Sequence, residues 1–308
     1  MTKLIIQIPA YNEEQTIGTT IDALPKKIDG IDEIEILIID DGSKDKTIEV
    51  AKTHGATHII KNEKNIGLAK TFMKGIKTAL ALKADIIVNT DADNQYNANN
   101  IKDLVKPILE KEADIVIGTR PISQINHFSP IKKLLQKLGS LVVRIVSSTN
   151  VEDAPSGFRA LNAQAAKEIH IYDNFTYTLE MIIQSKVKGL NILSIPISIN
   201  QDMRPSRLFK NSFQYILRSI ITITRMFIVY RPFRFFAILA GIISFIGFVL
   251  GLRFLLFYFN GDGSGHIQSL ILSSICLIIG FQTLLLAVIA DLLAINRRLL
   301  EDLKNNNK

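Results

Sequence analysis

The stretch IIVNTDADNQY, residues 86–96, sets a short apolar run directly before two aspartates spaced two residues apart. Short, nearly continuous apolar runs are typical of strands that are buried on both faces of a sheet. Carboxylates two residues apart on an extended turn can point toward one site, and their hard oxygens suit Mg²⁺ or Mn²⁺. Asp91, Asp93 and Gln95 are therefore candidate metal ligands, although an Asp-x-Asp pair alone also occurs in many surface turns.

Similar apolar runs alternate with helical patterns on both sides of this stretch. Strands are predicted at 4–8, 34–39, 58–60, 85–89 and 115–118, and helices at 14–23, 47–52, 68–82 and 101–111. The alternation predicts an α/β fold, with a mainly parallel sheet wrapped by helices. Because such open sheets bind ligands beyond the carboxyl ends of their strands, the polar segments at those ends are candidate site segments: 9–13, 40–45 and 91–95.

Four motifs follow one another in the first hundred residues: PAYNEE at 9–14, DDGSKDKT at 40–47, NIGLAK at 65–70 and DADNQY at 91–96. Their order and spacing resemble the family 2 glycosyltransferases, which have the Rossmann-like GT-A fold. Further along, SGFRAL at 156–161 and RPSRLFK at 204–210 resemble one subgroup of that family. This subgroup contains dolichol-phosphate mannose synthase and bacterial polyprenyl-phosphate glycosyltransferases.

The resemblance implies a nucleotide site in the first two motifs. Pro9, Tyr11 and Glu13 would contact the nucleotide, and Asp41 would read its base. Tyr11 can flank a planar base, and Asp41 can accept a hydrogen bond from a base N–H group. Asp-Gly-Ser is also ordinary turn chemistry, and Asp45 is expected to cap the helix that follows.

The resemblance also implies that Asp91, Asp93 and Gln95 hold Mg²⁺ or Mn²⁺ against the donor diphosphate. The ion would neutralise charge that develops on the leaving nucleoside diphosphate. The candidates for gripping the acceptor phosphate are all cationic: Arg120, Lys132, Lys133, Arg204 and Arg207. Arginines rank above lysines here because their planar fork matches phosphate oxygens bidentately.

Acceptor chemistry decides whether a catalytic base is needed. A hydroxyl must lose its proton to attack, whereas a phosphate monoester, with a second pKa near ~6, is already anionic at neutral pH. Asp153 is therefore the candidate base for a hydroxyl acceptor and a hydrogen-bonding partner for a phosphate acceptor. Arg159 is expected either to face the diphosphate or to pair with Asp153.

Composition limits the remaining function classes. The chain has 308 residues, a net charge of +7 and a single cysteine, which excludes an internal disulfide and indicates a reducing compartment. A basic chain with apolar spans favours anionic lipids and phosphorylated substrates over nucleic acid. The GxSxG, HExxH and GxGxxG motifs do not occur. Because the chain has no tryptophan, it also lacks the QxxRW motif of processive synthases of this fold.

Two apolar segments, 235–259 and 267–295, are each long enough to cross ~30 Å of hydrocarbon as a helix. The loop between them has no Lys or Arg, whereas basic residues flank the outer ends: Arg231, Arg234, Arg297, Arg298 and Lys304. The positive-inside bias then predicts that the catalytic domain and the C-terminus are cytoplasmic. The N-terminal stretch is expected to form a strand, not a secretory signal.

The sequence predicts three parts: a GT-A catalytic domain at 1–207, an interfacial linker at 208–234, and a two-helix transmembrane hairpin with a short tail at 235–308. Basic amphipathic patterns at 130–147 and 208–230 are typical of helices in the membrane interface, although core-facing helices show the same pattern.

Together these observations predict an integral membrane glycosyltransferase. It would transfer a hexose, with inversion, from a nucleotide sugar of the GDP-mannose or UDP-glucose type to polyprenyl phosphate. Membrane lipids are expected partners, and the membrane helices offer a surface for a homo-oligomer. Two alternatives stay open: transfer to a hydroxyl of a glycolipid or glycan, and an inactive GT-A domain that serves as a membrane scaffold.

Overall fold

The computed structural model describes residues 1–121, 140–171, 177–200, 231–261 and 264–306, except positions 142, 145, 146 and 148. It also describes some of the positions between 217 and 229. The chain divides into two compact units, Met1–Ile223 and Thr224–Lys308. Most of both amphipathic segments lies outside the described residues. So do four predicted site residues: Lys132, Lys133, Arg204 and Arg207.

The first unit is built on a sheet of seven strands in the order β3-β2-β1-β4-β6-β5-β7. The strands are β1 (Lys3–Ala10), β2 (Glu33–Asp40), β3 (His58–Lys61), β4 (Ile86–Asn89), β5 (Ile115–Thr119), β6 (Arg159–Asn162) and β7 (Ile192–Pro196). All neighbouring pairs are parallel except those that β6 makes with β4 and β5. The mainly parallel α/β sheet predicted from the sequence is confirmed.

Helices cover the sheet. They are α1 (Ile17–Asp22), α2 (Thr47–Thr53), α3 (Leu68–Ala81), α4 (Ile101–Leu109), α5 (Ala163–Glu168) and α6 (Tyr177–Val187). Because both faces of the sheet are covered, the apolar residues of β1 and β4 are buried along their whole length. The continuous apolar runs of the sequence are therefore explained by burial on two sides.

The five predicted strands are all present, whereas β6 and β7 were not predicted. β6 has only four residues, RALN, and begins with a charged arginine, so its composition does not indicate a strand. β7 lies at the edge of the sheet and is only partly buried. The predicted helix at 14–23 begins three residues later, at Ile17, because residues 13–16 form a turn.

The second unit consists of α7 (Pro232–Phe259) and α8 (Ile267–Asn306), which pack together through small residues. The Ser273 hydroxyl donates to the carbonyl of Gly247 over 2.7 Å, and a Cβ at Gly247 would lie 2.9 Å from that of Cys276. Large apolar side chains point outward, with Phe245 67% and Phe281 62% exposed. In the described part of the chain, Pro232–Phe259 and Ser264–Arg297 are long and apolar enough to cross a membrane.

Candidate active site

Three polar turns meet at one edge of the sheet. β1 is parallel to β2 on one side and to β4 on the other, so the carboxyl ends of all three strands face the same edge. The segments that follow Ala10, Asp40 and Asn89 therefore share that edge. The sequence-predicted nucleotide and metal residues come from these segments, so the fold brings them to the same end of the sheet.

The turn after β4, residues 91–96, carries the candidate metal ligands. Burial, and then the like charge of Asp93, raise the pKa of the Asp91 carboxyl to about 7, although the Arg120 guanidinium lowers it. Within the turn, the backbone N–H of Gln95 donates to Asp93 Oδ1 over 3.3 Å, and Asn94 adopts a left-handed φ of 57°. The Asp91 carboxylate is thus buried beside the like charge of Asp93.

These residues fit a hard divalent cation. Among the described residues, no group of three or more His, Cys, Asp or Glu side chains is arranged to hold a metal ion. Mg²⁺ commonly uses only one or two protein carboxylates and takes its other ligands from substrate phosphates and water. Asp91 and Asp93 match that arrangement, and the raised pKa of Asp91 marks a negative charge that a cation would stabilise.

Gly157, from the SGFRAL motif, lies directly against the acidic turn. A Cβ atom at this position would lie 3.1 Å from Asp91 Oδ1, 3.3 Å from Asp91 Oδ2 and 3.0 Å from the Tyr177 hydroxyl. A side chain here would displace one of these groups, so the motif needs glycine for close approach. The fold thus places Gly157 against the candidate metal site, although it lies 66 residues after Asp91 in the chain (157 − 91 = 66).

The turn after β2 is organised around the Asp41 carboxylate, which is 4% exposed. Asp41 Oδ1 accepts hydrogen bonds from Asn62 Nδ2 and the Ile66 amide, each over 2.9 Å, and Oδ2 accepts from the Gly67 amide over 3.0 Å. Lys74 Nζ donates in turn to Asn62 Oδ1 over 2.6 Å. Asp41 therefore fixes the NIGLAK loop at this edge in addition to any contact with a base.

The residues predicted to contact a nucleotide differ in accessibility. Tyr11 is 41% exposed, whereas Glu13 is only 8% exposed and Pro9 is buried inside β1. Glu13 Oε2 accepts from the Thr16 hydroxyl over 2.9 Å, and its amide donates to Thr47 Oγ1 over 2.8 Å. Tyr11 is thus open to solvent, while Glu13 connects the first two motifs.

Arg120 and Asp153 form a buried ion pair. Arg120 Nε donates to Asp153 Oδ2 over 2.7 Å and Nη2 donates to Oδ1 over 3.0 Å, while the side chain of Asp153 is 0% exposed. Because both carboxylate oxygens accept from Arg120 and the side chain is fully buried, neither oxygen is open to an acceptor hydroxyl. This geometry favours the hydrogen-bonding role for Asp153 over the role of base. Nη1 of Arg120 is not engaged by Asp153.

The structure corrects both expectations for Arg159. Its side chain is 0% exposed, so it does not face a ligand, and Asp153 is paired with Arg120 instead. The guanidinium donates to three backbone carbonyls over 2.7–2.8 Å: those of Ala154, Ser156 and Thr178. Burial lowers the pKa of Arg159 to about 10, so the group stays charged at neutral pH. Arg159 fixes the segment that presents Gly157.

A buried polar network beneath the site was missed from the sequence. Gln7 Nε2 donates to Asn89 Oδ1 over 2.9 Å, and Asn89 Nδ2 donates to the Gly157 carbonyl over 2.8 Å and to the Tyr177 hydroxyl over 2.9 Å. Gln7 and Asn89 are both 0% exposed. The sequence did contain a signal for this network, because Gln7 and Asn89 are isolated amide side chains in otherwise apolar strands.

Residues 5–170 match the family described as glycosyl transferase family 2, which is more than half of the chain. The chain belongs to this family, and it is a glycosyltransferase with a GT-A-like fold. The structure of glucosyl-3-phosphoglycerate synthase from Mycobacterium tuberculosis, in complex with Mn²⁺ and UDP, resembles the fold with a TM-score of 0.56. It is 20% identical, and the match covers 72% of this chain and 80% of that one.

Two sequence relatives have specific names. The undecaprenyl-phosphate mannosyltransferase of Micrococcus luteus is 25% identical over 72% of this chain and 93% of its own length. The UDP-N-acetylglucosamine–dolichyl-phosphate N-acetylglucosaminyltransferase of Methanococcus voltae is 31% identical over 62% of this chain and 82% of its own length. Both names describe transfer to a polyprenyl phosphate. At the level of the family, such relatives support the same acceptor class for this chain.

Proposed function

We propose that this chain transfers a hexose from a nucleotide sugar to a polyprenyl phosphate, with Mg²⁺ or Mn²⁺ bound at Asp91, Asp93 and Gln95. The observation that carries the proposal is the turn of Asp91 and Asp93, with the Asp91 carboxylate against Gly157, on the same sheet edge as the Asp41 turn. This arrangement offers a nucleotide and a diphosphate adjacent binding regions. The relatives that act on polyprenyl phosphates support the choice of acceptor.

On the donor side, the exposed Tyr11 ring would stack on the base, and Asp41 would accept a hydrogen bond from it. The divalent cation would supply Lewis-acid stabilisation of the departing nucleoside diphosphate. Pro9 and Glu13 would shape the floor of this region, because both are largely buried.

The acceptor side supports a phosphate over a hydroxyl. A phosphate monoester is anionic at neutral pH and attacks without a base. Asp153, the base candidate, is fully buried and held by Arg120, which leaves a hydroxyl acceptor without an evident proton acceptor at this position. Arg120, through Nη1, would bind the acceptor phosphate together with four cations predicted from the sequence: Lys132, Lys133, Arg204 and Arg207.

The helices α7 and α8 would anchor the chain in the bilayer that carries the lipid acceptor. Their outward apolar side chains suit lipid contact, whereas a helix in a soluble core would bury them. The basic residues beyond both outer ends support a cytoplasmic location for the catalytic unit and the C-terminus: Arg231, Arg234, Arg297, Arg298 and Lys304.

The proposal is tested by incubating the purified protein in detergent with Mn²⁺, a panel of nucleotide sugars and either polyprenyl phosphate or unphosphorylated polyprenol. Mass spectrometry of the lipid is expected to show a polyprenyl-phosphate hexose from at least one donor and no product from polyprenol. Product from polyprenol alone would indicate the hydroxyl alternative. No product and no donor hydrolysis with any donor would indicate the inactive scaffold.

The acceptor site is tested by Arg204→Ala. The variant is expected to raise the KM for polyprenyl phosphate about tenfold, because a charged hydrogen bond to phosphate is lost. The KM for the nucleotide sugar is expected to change much less. Equal changes in both constants would contradict the assignment of Arg204 to the acceptor.

A further inference from the structure

The chain just after β7 lies against the acidic turn. Ile199 forms an isolated antiparallel bridge with Tyr96, and the backbone N–H of Asn200 donates to the carbonyl of Gln95 over 2.9 Å. The side-chain NH₂ group of Asn200 donates to the carbonyl of Asn94 over 2.9 Å, to Asn94 Oδ1 over 3.3 Å and to the carbonyl of Tyr96 over 3.3 Å. Asn200 therefore holds three consecutive carbonyls of the turn that carries the candidate metal ligands.

The peptide unit between Asn94 and Gln95 connects Asn200 to one of these candidate ligands. Its carbonyl accepts from Asn200 Nδ2 over 2.9 Å, and its N–H, on Gln95, donates to Asp93 Oδ1 over 3.3 Å. Because a peptide unit is planar, fixing the direction of the carbonyl also fixes the direction of the N–H. A hydrogen bond to the carbonyl also polarises the N–H and strengthens the bond that it donates. The Asn200 side chain thus acts on the Asp93 carboxylate through one rigid group.

The backbone conformation of the turn depends on such support. Asn94 has a left-handed φ of 57°, which is uncommon outside glycine although asparagine adopts it more readily than most residues. A change in this φ would redirect the Gln95 N–H away from Asp93. Because Asn200 bonds both the carbonyl and the side-chain oxygen of Asn94, it stabilises the conformation that aims the N–H at the carboxylate.

We propose that Asn200 is a positioning residue, whose side chain fixes the Asn94–Gln95 peptide so that its N–H orients the Asp93 carboxylate for the divalent cation. The inference rests on the proposed function, since it takes Asp93 to be a metal ligand. Groups that hydrogen-bond a metal-ligating carboxylate orient it, and their loss typically weakens metal affinity about 10- to 100-fold. Asn200 acts one group further from the cation, so we expect an effect at the low end of this range.

Ser198 provides a matched control in the same segment. Its hydroxyl donates to Asn100 Oδ1 over 2.8 Å and accepts from Asn97 Nδ2 over 2.9 Å. Ser198→Ala and Asn200→Ala each remove side-chain hydrogen bonds between this segment and the chain that follows β4. Only Asn200→Ala removes bonds to the acidic turn. Because Ser198 is exposed and Asn200 is only partly buried, both variants are expected to fold.

The experiment measures Mn²⁺ binding by electron paramagnetic resonance in the full chain, with UDP and with GDP, for wild type, Asn200→Ala, Ser198→Ala and Asp93→Ala. Binding that Asp93→Ala abolishes is assigned to the site. Asn200→Ala is expected to raise the Kd of this binding about tenfold, and Ser198→Ala to change it less than about twofold. In turnover assays, the Mn²⁺ concentration for half-maximal rate is expected to rise by a similar factor for Asn200→Ala. Its kcat at saturating Mn²⁺ is expected to stay within about threefold of wild type, because excess cation refills the site.

The inference is overturned if Asn200→Ala raises the Kd less than about threefold, or if Ser198→Ala raises it as much. It is also overturned if kcat falls while the half-maximal Mn²⁺ concentration stays unchanged, because that is the signature of a structural role alone. Melting temperatures provide a second readout: the Mn²⁺-induced rise is expected to shrink in Asn200→Ala and not in Ser198→Ala. Mn²⁺ binding that Asp93→Ala leaves intact, or a wild-type chain that neither binds Mn²⁺ nor transfers a sugar, would instead refute the proposed function.

Discussion

The two acidic turns at the carboxyl edge of the sheet have the same kind of residue in opposite electrostatic surroundings. After β2, Asp41 accepts hydrogen bonds from Asn62 and from the amides of Ile66 and Gly67. After β4, burial and a neighbouring carboxylate raise the pKa of Asp91 to about 7. In the first turn three hydrogen-bond donors hold the carboxylate, whereas in the second turn a carboxylate is buried beside a like charge.

Hydrogen-bond partners and neighbouring charges distinguish structural aspartates from candidate ligand-binding aspartates. Hydrogen-bond donors aimed at a carboxylate stabilise its charged form, and burial beside a like charge destabilises it. At Asp45, burial raises the pKa of the carboxyl, but hydrogen bonds from Thr47 and Glu14 outweigh this, so the pKa lies below its ordinary value. Strongly perturbed acids in a cleft are the better candidates for function.

The largest expected effect is on turnover. Asp93→Ala removes a proposed metal ligand, so we expect sugar transfer to fall at least about 10³-fold while the fold is retained. Product formation by mass spectrometry and the far-ultraviolet circular dichroism spectrum check both statements. Asp103→Ala, an exposed aspartate on α4, is the control and should leave turnover unchanged. Near-normal turnover in Asp93→Ala would show that the second turn is not a metal site.

The next effect is a loss of stability at the first turn. Asp41→Asn replaces an acceptor oxygen by an amide NH₂ group that faces backbone donors, which we expect to cost about 2 kcal/mol. Thermal unfolding of the detergent-solubilised protein checks this, with Asp103→Asn as the control for loss of a charge. An unchanged melting temperature would mean that Asp41 does not hold the NIGLAK loop.

The same substitution at the second turn is expected to act with the opposite sign. At pH 8, above the raised pKa of Asp91, the carboxylate is charged and repelled by Asp93. Asp91→Asn removes that charge, so we expect the metal-free protein to gain about 1 kcal/mol, or about 2–4 °C in melting temperature. Unfolding in the presence of a chelator measures it. A loss of stability as large as that of Asp41→Asn would erase the proposed contrast.

The smallest effect concerns Asp45. The N-cap of α2 is Lys46, one residue later than predicted, and Asp45 instead accepts from the Thr47 amide at the start of the helix. Asp45→Ala is expected to cost about 1 kcal/mol at pH 7, because the hydrogen bond to the Thr47 amide is lost. Since the folded-state pKa is lowered, this stability is present above the ordinary value of 3.8 and is lost as pH falls through the folded-state pKa. The gap in melting temperature between variant and wild type is therefore expected to narrow only below about pH 4. A gap that already closes at pH 6 would contradict the assignment.

Much of the fold follows from sequence pattern. Strand β1, the second half of β2, β4 and most of β5 are apolar runs buried on both faces, and this burial makes such runs predictable from the sequence. β3 is only partly buried. β6 and β7 were not predicted, because their sequences are short or partly exposed and their pairing is set by tertiary contacts. The predicted site segments lie at one edge of the sheet, since β1 is parallel to both β2 and β4 and parallel strands align their carboxyl ends.

The inner partners of the site were not predictable in the same way. Arg159 in a motif suggested a ligand contact, yet its guanidinium donates to buried carbonyls. The contacts of Tyr96 and Asn89 with Gly157 join positions more than 60 residues apart, as their numbers show, so no local pattern reports them. The spacing of the motifs along the chain predicts which turns contain candidate site residues. Only the folded chain shows which carboxylates already have their donors.

The position of bound Mn²⁺ distinguishes the two acidic turns. Crystals of the chain grown with Mn²⁺ and UDP or GDP would give an anomalous difference peak at the metal. We predict that this peak lies against Asp91 and Asp93, next to Gly157, with the nucleotide diphosphate completing its coordination. A peak at the Asp41–Asp45 turn, with the pair after β4 left without metal, would contradict the account.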